Sequence, residues 1–179
     1  MKGKAGVIAP YDDAGNPDEG TLYKFNGSGL AASKQLPSAF SIAYTGKKTV
    51  IGAAENLTSP SLKSGQAYLL SGMKPKITIP NPMPNAGDAF GFSVAGSKKV
   101  VIVGAPMDDG PGPDAGQAYL FTQKSPVPIR TYPNPAPQDG DQFGYAAAVV
   151  GNFAYIAAPF DDAHGTDAGV VYVFQVPQQ

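Results

Sequence analysis

Gly87-Asp-Ala-Phe-Gly-Phe-Ser-Val-Ala95 returns as Gly140-Asp-Gln-Phe-Gly-Tyr-Ala-Ala-Ala148, and the residues downstream of each stretch repeat as well. Val100-Val-Ile-Val-Gly-Ala-Pro106 is matched by Phe153-Ala-Tyr-Ile-Ala-Ala-Pro159. Asp108-Asp109 is matched by Asp161-Asp162, and Gly116-Gln-Ala-Tyr-Leu-Phe121 by Gly169-Val-Val-Tyr-Val-Phe174. From Phe90 to Phe143, from Pro106 to Pro159 and from Gly116 to Gly169, each landmark moves by 53 residues. A constant shift over so long a segment is the mark of a repeat architecture.

Working outward, an earlier and weaker copy emerges. Phe40-Ser-Ile-Ala43 aligns with Phe92-Ser-Val-Ala95, Ile51-Gly-Ala-Ala54 with Val103-Gly-Ala-Pro106, and Gly65-Gln-Ala-Tyr-Leu-Leu70 with Gly116-Gln-Ala-Tyr-Leu-Phe121. In this copy Ser38-Ala39 stands where the others have Phe-Gly. The chain opens on a partial copy comprising Gly6-Val-Ile-Ala-Pro10, Asp12-Asp13 and Gly20-Thr-Leu-Tyr-Lys-Phe25.

Within a copy the apolar stretches are short, β-branched and aromatic, and are bounded by Gly, Pro, Asp and Ser, as strands are. Phe92 and Val94, then Val101 and Val103, alternate in the manner of half-buried strands, with Lys98-Lys99 at the hairpin tip between them. Tyr119 and Phe121 mark a third strand. Ile77-Thr78-Ile79 and Ile129-Arg130-Thr131-Tyr132 mark a fourth, whose flanking Pro75, Pro80, Pro128 and Pro133 remove ladder donors and assign it to a sheet edge. The first copy lacks its Phe-Gly strand, and the last has only Val176 to Gln179 where an outer strand belongs. Sheets of three, four, four and three strands are therefore predicted, with blades at 1–37 (partial), 38–84, 85–137 and 138–179 of a single domain. Pro80-Asn81-Pro82-Met83-Pro84 and Pro133-Asn134-Pro135-Ala136-Pro137 read as linkers between blades.

Composition narrows the function classes. Of 179 residues, 42% are hydrophobic, enough for a core, and 22 Gly with 18 Pro fit many turns between short strands. Charged residues are only 15% and the formal net charge is -1, without a basic cluster, so a nucleic-acid partner is not expected. No Cys is present, which excludes disulfides and thiolate metal ligands. No apolar run reaches the roughly 18 residues that a membrane helix needs, so membrane insertion is not expected, and Met1 to Ala9 does not read as a signal peptide.

The runs Phe90-Gly91…Gly104-Ala105-Pro106 and Phe143-Gly144…Ala157-Ala158-Pro159 resemble FG-GAP repeats, the blade units of the integrin α-chain β-propeller and of many bacterial surface proteins. The resemblance implies an all-β array of four-stranded antiparallel blades around an axis. It also implies that small residues such as Gly104 and Ala105 let sheets approach closely near that axis, and that Phe90 and Phe143 pack between blades. About three and a half repeats make a partial propeller, completed by oligomerisation or by a longer chain. The alternative is a compact four-bladed ring. An open arc would leave apolar sheet faces at both ends as assembly surfaces.

The most specific polar feature is the loop Pro-x-Asp-Asp-x4-Asp-x-Gly, present three times. Its carboxylates are Asp12, Asp13 and Asp18, then Asp108, Asp109 and Asp114, then Asp161, Asp162 and Asp167; the second copy offers only Glu55 and Asn56. Three carboxylates in one short loop suit a hard, oxygen-seeking cation, and Ca²⁺ is the candidate cofactor. Integrin calcium loops carry acidic residues at alternate positions, whereas here two are adjacent, and adjacent side chains in an extended segment point opposite ways. The other reading of these loops is that the aspartates accept hydrogen bonds from loop N–H groups. Asp88 and Asp141, ahead of the Phe-Gly pairs, read as turn caps.

Catalysis finds little footing. His164 has no counterpart in the other copies, and neither a Gly-x-Ser-x-Gly elbow nor a phosphate-cradling Gly-Lys-Ser/Thr loop occurs. The expectation is a non-catalytic extracellular or cell-surface binding or adhesion module that self-associates or assembles with a protein or glycan partner. A structural subunit of a filament or ring is the alternative, and a metal-dependent hydrolase a further one.

Overall fold

The structure is a computed structural model that describes residues 5–9, 19–26, 28–54 and 64–178. The described residues form fourteen strands and no helix, arranged as four separate antiparallel sheets. The first holds β1 (Ala5–Ala9), β2 (Glu19–Asn26) and β3 (Gly29–Pro37). The second holds β4 (Ser41–Tyr44), β5 (Thr49–Ala53), β6 (Gln66–Ser71) and β7 (Lys74–Pro80). The third holds β8 (Ser93–Gly96), β9 (Val100–Ala105), β10 (Gln117–Thr122) and β11 (Pro128–Pro133). The fourth holds β12 (Ala146–Val150), β13 (Phe153–Ala158) and β14 (Val170–Gln175).

Each sheet runs in chain order because consecutive strands are joined as antiparallel neighbours, some by tight turns, as at Lys98-Lys99 between β8 and β9, and some by longer loops, as between β9 and β10. The repeat dictates register as well as order. Val103 pairs with Tyr119 and Gly104 with Ala118, just as Ile51 pairs with Tyr68, Gly52 with Ala67, Ile156 with Tyr172 and Ala157 with Val171. In the first sheet Val7 pairs with Tyr23 and Ile8 with Leu22. The proline-flanked strands β7 and β11 lie at sheet edges, and the ladder slips register where Pro75 and Pro128 fall. A missing N–H does least damage at such a place.

Three apolar clusters join the sheets in sequence. Leu22, Leu36 and Ala39 pack with Ile51 and Leu70 between the first and second sheets. Val50, Leu69 and Ile79 meet Phe90, Val103, Tyr119 and Phe121 between the second and third. Ile102, Leu120 and Tyr132 meet Phe143, Ile156, Tyr172 and Phe174 between the third and fourth. Phe90 and Phe143 are fully buried wedges between blades. The residues just ahead of the first strands of the second, third and fourth sheets form an aromatic ladder, with Phe40 and Phe92 centroids 4.8 Å apart and Phe92 and Tyr145 centroids 4.7 Å apart.

Two expectations are corrected. The compact four-bladed ring does not form, because the outward face of the fourth sheet stands open, with Phe153 at 46%, Val171 at 60% and Val173 at 54% exposure. Val101 and Val103 do not belong to a half-buried strand: every residue of β9 is buried, since its sheet is covered on both sides. The three, four, four and three strands expected are the ones observed, and no strand comes after β14 in residues 176–178, where Val176 donates its N–H to the Asn152 carbonyl at 2.8 Å and buries its side chain.

Candidate functional site

The acidic loops sit directly after β9 and β13. Asp108 and Asp161 are buried, whereas their neighbours Asp109 and Asp162 are exposed, so each adjacent pair does split between interior and solvent. Asp108 Oδ1 accepts hydrogen bonds from the Gly110 N–H (2.9 Å) and Gln117 Nε2 (2.7 Å), and its Oδ2 accepts the Tyr119 hydroxyl (2.7 Å). Asp161 repeats the arrangement with the Ala163 N–H at 2.9 Å and the Tyr172 hydroxyl at 2.6 Å. Asp109 Oδ1 takes the Asp114 N–H at 2.9 Å, and Asp162 Oδ1 takes the Asp167 N–H at 2.7 Å. Both Asp114 and Asp167 have a left-handed backbone, with φ of 49° and 51°. Asp residues tolerate this conformation better than most non-glycine residues.

This is loop-capping chemistry. Each buried carboxylate ties the loop to the strand after it. Burial, followed by the hydrogen bond to Asp161, pushes the Tyr172 hydroxyl up to about 12; burial and the bond to Asp108 raise Tyr119 as well. Both phenols therefore stay protonated and donating. Burial, with repulsion from Asp109, also raises the Asp114 carboxyl.

A calcium ion would need oxygens from one loop to converge. Among the described residues no group of three or more His, Asp or Glu side chains gathers in that way. The inner carboxylate is engaged by donors and its neighbour faces solvent, so this donor set does not fit a calcium cage. Asp12, Asp13 and Asp18 lie outside the described residues, as do Glu55 and Asn56. His164 is exposed in its loop.

A second polar feature escaped the sequence reading. In the linkers, Asn81 Nδ2 donates to Asp88 Oδ2 at 2.6 Å and Asn134 Nδ2 donates to Asp141 Oδ2 at 2.7 Å. The same carboxylate oxygens accept the Asn85 and Gln138 N–H groups, at 2.7 and 2.8 Å, which is the turn-cap function expected of Asp88 and Asp141. Asn81 Oδ1 takes the Met83 N–H and Asn134 Oδ1 the Ala136 N–H, so each asparagine clamps the linker to the turn that opens the next blade. The available signal was positional, since Asn81 and Asn134 share the 53-residue shift of the aspartates they hold. Asp88 Oδ1 is buried with no hydrogen-bond partner, and burial pushes this carboxyl up to about 6, with Asp108 and Asp109 adding repulsion.

The Phe-Gly turns are received by the preceding sheet. Ser41 Oγ donates to the Gly91 carbonyl at 2.9 Å, and Ser93 Oγ to the Gly144 carbonyl at 2.7 Å. A Cβ added at Gly52 or Gly104 would overlap those same two carbonyl oxygens. Gly52 and Gly104 therefore let the sheets approach.

The FG-GAP repeat family profile matches residues 84–121 and 137–174, the segments that carry these turns. The chain carries FG-GAP repeats. Solved structures agree on the fold of this FG-GAP chain. The β-propeller domain of the Trilobed protease from Pyrococcus furiosus, described as having an open velcro topology, superposes with a TM-score of 0.60 at 11% identity, over 96% of this chain and 50% of that one. A chain in the complex of KlAtg21 with the coiled-coil of AgAtg16 gives 0.64 at 14%, over 98% and 49%. The Pyrococcus horikoshii acylaminoacyl peptidase gives 0.54 at 10%, over 98% and 30%. The FG-GAP chain thus spans half or less of these chains, and at such identities the likeness establishes the fold alone. No curated protein matches it by sequence. The chain is an unclosed arc of propeller blades, a fold suited to protein interaction. Among the described residues no helix is long and apolar enough to cross a membrane.

Proposed function

We propose that the FG-GAP chain is a non-catalytic interaction module that binds protein through the open face of its fourth sheet. The observation that carries this reading is the chemistry of that face. Val150, Phe153, Tyr155, Val171 and Val173 lie on it, and β12, β13 and β14 contain no charged residue. Monomeric proteins rarely leave such a surface to water, and exposed apolar patches of this kind mark interaction sites. The rigid blade array behind it holds the face in shape without prior ordering, which lowers the cost of binding. Capped loops without a catalytic constellation favour a scaffold over an enzyme. An extracellular or cell-surface setting, with a part in adhesion, goes with this reading because FG-GAP repeats commonly occur in such proteins.

Covalent footprinting provides the test. Phe153, Val171 and Val173 should label strongly in the dilute purified chain and at least several-fold less in an extract of the cells that produce it. Equal labelling in both settings would retire the proposal.

A further inference from the structure

We infer that the open face of the fourth sheet receives the first sheet of a second copy, so that two chains close head to tail into one ring of eight sheets. The inference rests on the interaction-module reading and names the partner. Its starting point is continuity with interfaces already present. Val171 and Val173 occupy the places of Ala118 and Leu120 in the third sheet and of Ala67 and Leu69 in the second. In those sheets the same positions are buried against the sheet that comes next.

What kind of sheet the fourth one can accept is written in two residues. A sheet that receives a Phe-Gly turn carries a glycine to make room for the turn's carbonyl and a serine to hydrogen-bond it: Gly52 with Ser41, and Gly104 with Ser93. The fourth sheet has Ala157 and Ala146 at those positions. A methyl group stands where the carbonyl would lie, and the hydroxyl donor is gone. The fourth sheet is therefore shaped against a blade that opens with a Phe-Gly turn.

The chain already contains a junction of the other kind. Between the first and second sheets Ser38-Ala39 replaces the Phe-Gly pair, the glycine position is Ile8, and apolar packing holds the junction regardless. Among the described residues the first sheet holds only β1, β2 and β3, with no strand in the Phe-Gly place. Its β2 repeats the Tyr-x-Phe of β10 and β14 as Tyr23 and Phe25, the residue pair that elsewhere enters the preceding sheet. Leu30, paired with Phe25 and 58% exposed, extends the same face. Two copies supply eight sheets, within the range of four to eight blades over which propellers close. The match to only about half of two of the solved chains fits that count. A head-to-tail contact that closes on a twofold axis forms a finished ring with no end exposed.

Sedimentation or light scattering of the purified chain should give about twice its 18.4 kDa mass, falling to the monomer on dilution. Val173→Lys should be monomeric, and so should Leu30→Lys, an exposed site that the fold tolerates. An equimolar mixture of the two should regain a 1:1 pair, because one intact head and one intact tail remain. A monomer up to roughly 100 µM would overturn the inference; if the face were still protected in extracts, the interaction module would survive and only its partner would change. A Leu30→Lys chain that still dimerises would point to face-to-face pairing of fourth sheets, and open polymers of growing mass to a contact that does not close. Either would also overturn the ring.

Discussion

The third and fourth sheets are two readings of one repeat, and they differ mainly in what lies beyond them. Val100, Ala118 and Leu120 of the third sheet are buried, while Phe153, Val171 and Val173 at the same positions of the fourth face solvent. The pairing register is unchanged, and so are the capped aspartate, the tyrosine that donates to it and the wedge phenylalanine. Local sequence thus builds the blade, and the neighbouring sheet decides whether both of its faces contribute to stability.

The most direct way to break this comparison is to truncate equivalent residues. Leu120→Ala should cost about 2–5 kcal/mol of unfolding free energy, as buried leucines do. Val173→Ala, measured by urea denaturation of the dilute monomer, should stay within about 1 kcal/mol, as exposed positions do. Equal losses would mean that the fourth sheet is covered within a single chain.

The glycine position sharpens the contrast. Gly104→Ala should cost about 1–3 kcal/mol or more, because its methyl meets backbone that cannot step aside. Ala157→Gly should cost only about 0.5–1 kcal/mol, through backbone entropy. A neutral Gly104→Ala would show that the sheets can separate without penalty.

A third probe concerns the charge buried to cover the third sheet. Asp88 has its carboxyl raised from 3.8 to about 6, so the folded state binds this proton more tightly than the unfolded chain does. Its contribution is fully present below the unfolded value and is lost as pH rises through about 6. The loss should be on the order of 1–3 kcal/mol between pH 4 and pH 7. Asp88→Asn should flatten that slope, since an amide keeps an acceptor for Asn81 and Asn85 and carries no charge. An unchanged slope in thermal melts across this range would assign the effect to other groups.

The smallest effect is expected from metal. The described loops of both sheets are closed by their own hydrogen bonds, so millimolar calcium against chelator should move the melting temperature by less than about 1 °C. A ligand specific to the folded state must raise it. A rise of several degrees would mean that the loops rearrange around the ion.

Much of this architecture was legible because the repeat supplied its own alignment. The shift from Phe90 to Phe143 located the strands, the wedges and the loops together. Burial on both faces was harder to read, since Val, Ile and Ala on either face of β9 look alike. The cue was the unbroken apolar run from Val100 to Ala105, typical of strands covered on both sides, with no polar residue to mark a wet face. The adjacency of Asp108 and Asp109 forecast one carboxylate inside and one outside. It could not name Tyr119, which joins the site from a different strand. Asn81 and Asn134 were hidden by their prolines, which made them look like spacer rather than clasp.

That clasp has a consequence for how such chains change over generations. Asn81 and Asp88, like Asn134 and Asp141, are only seven residues apart, so each clasp straddles one blade boundary within a short stretch of chain. A duplication or deletion in steps of 53 residues therefore brings an asparagine of one copy to the equivalent aspartate of the next and restores the clasp. Gene-level gain or loss of such a blade leaves the clasped handovers intact, so the number of blades can drift while the construction of each one stays the same.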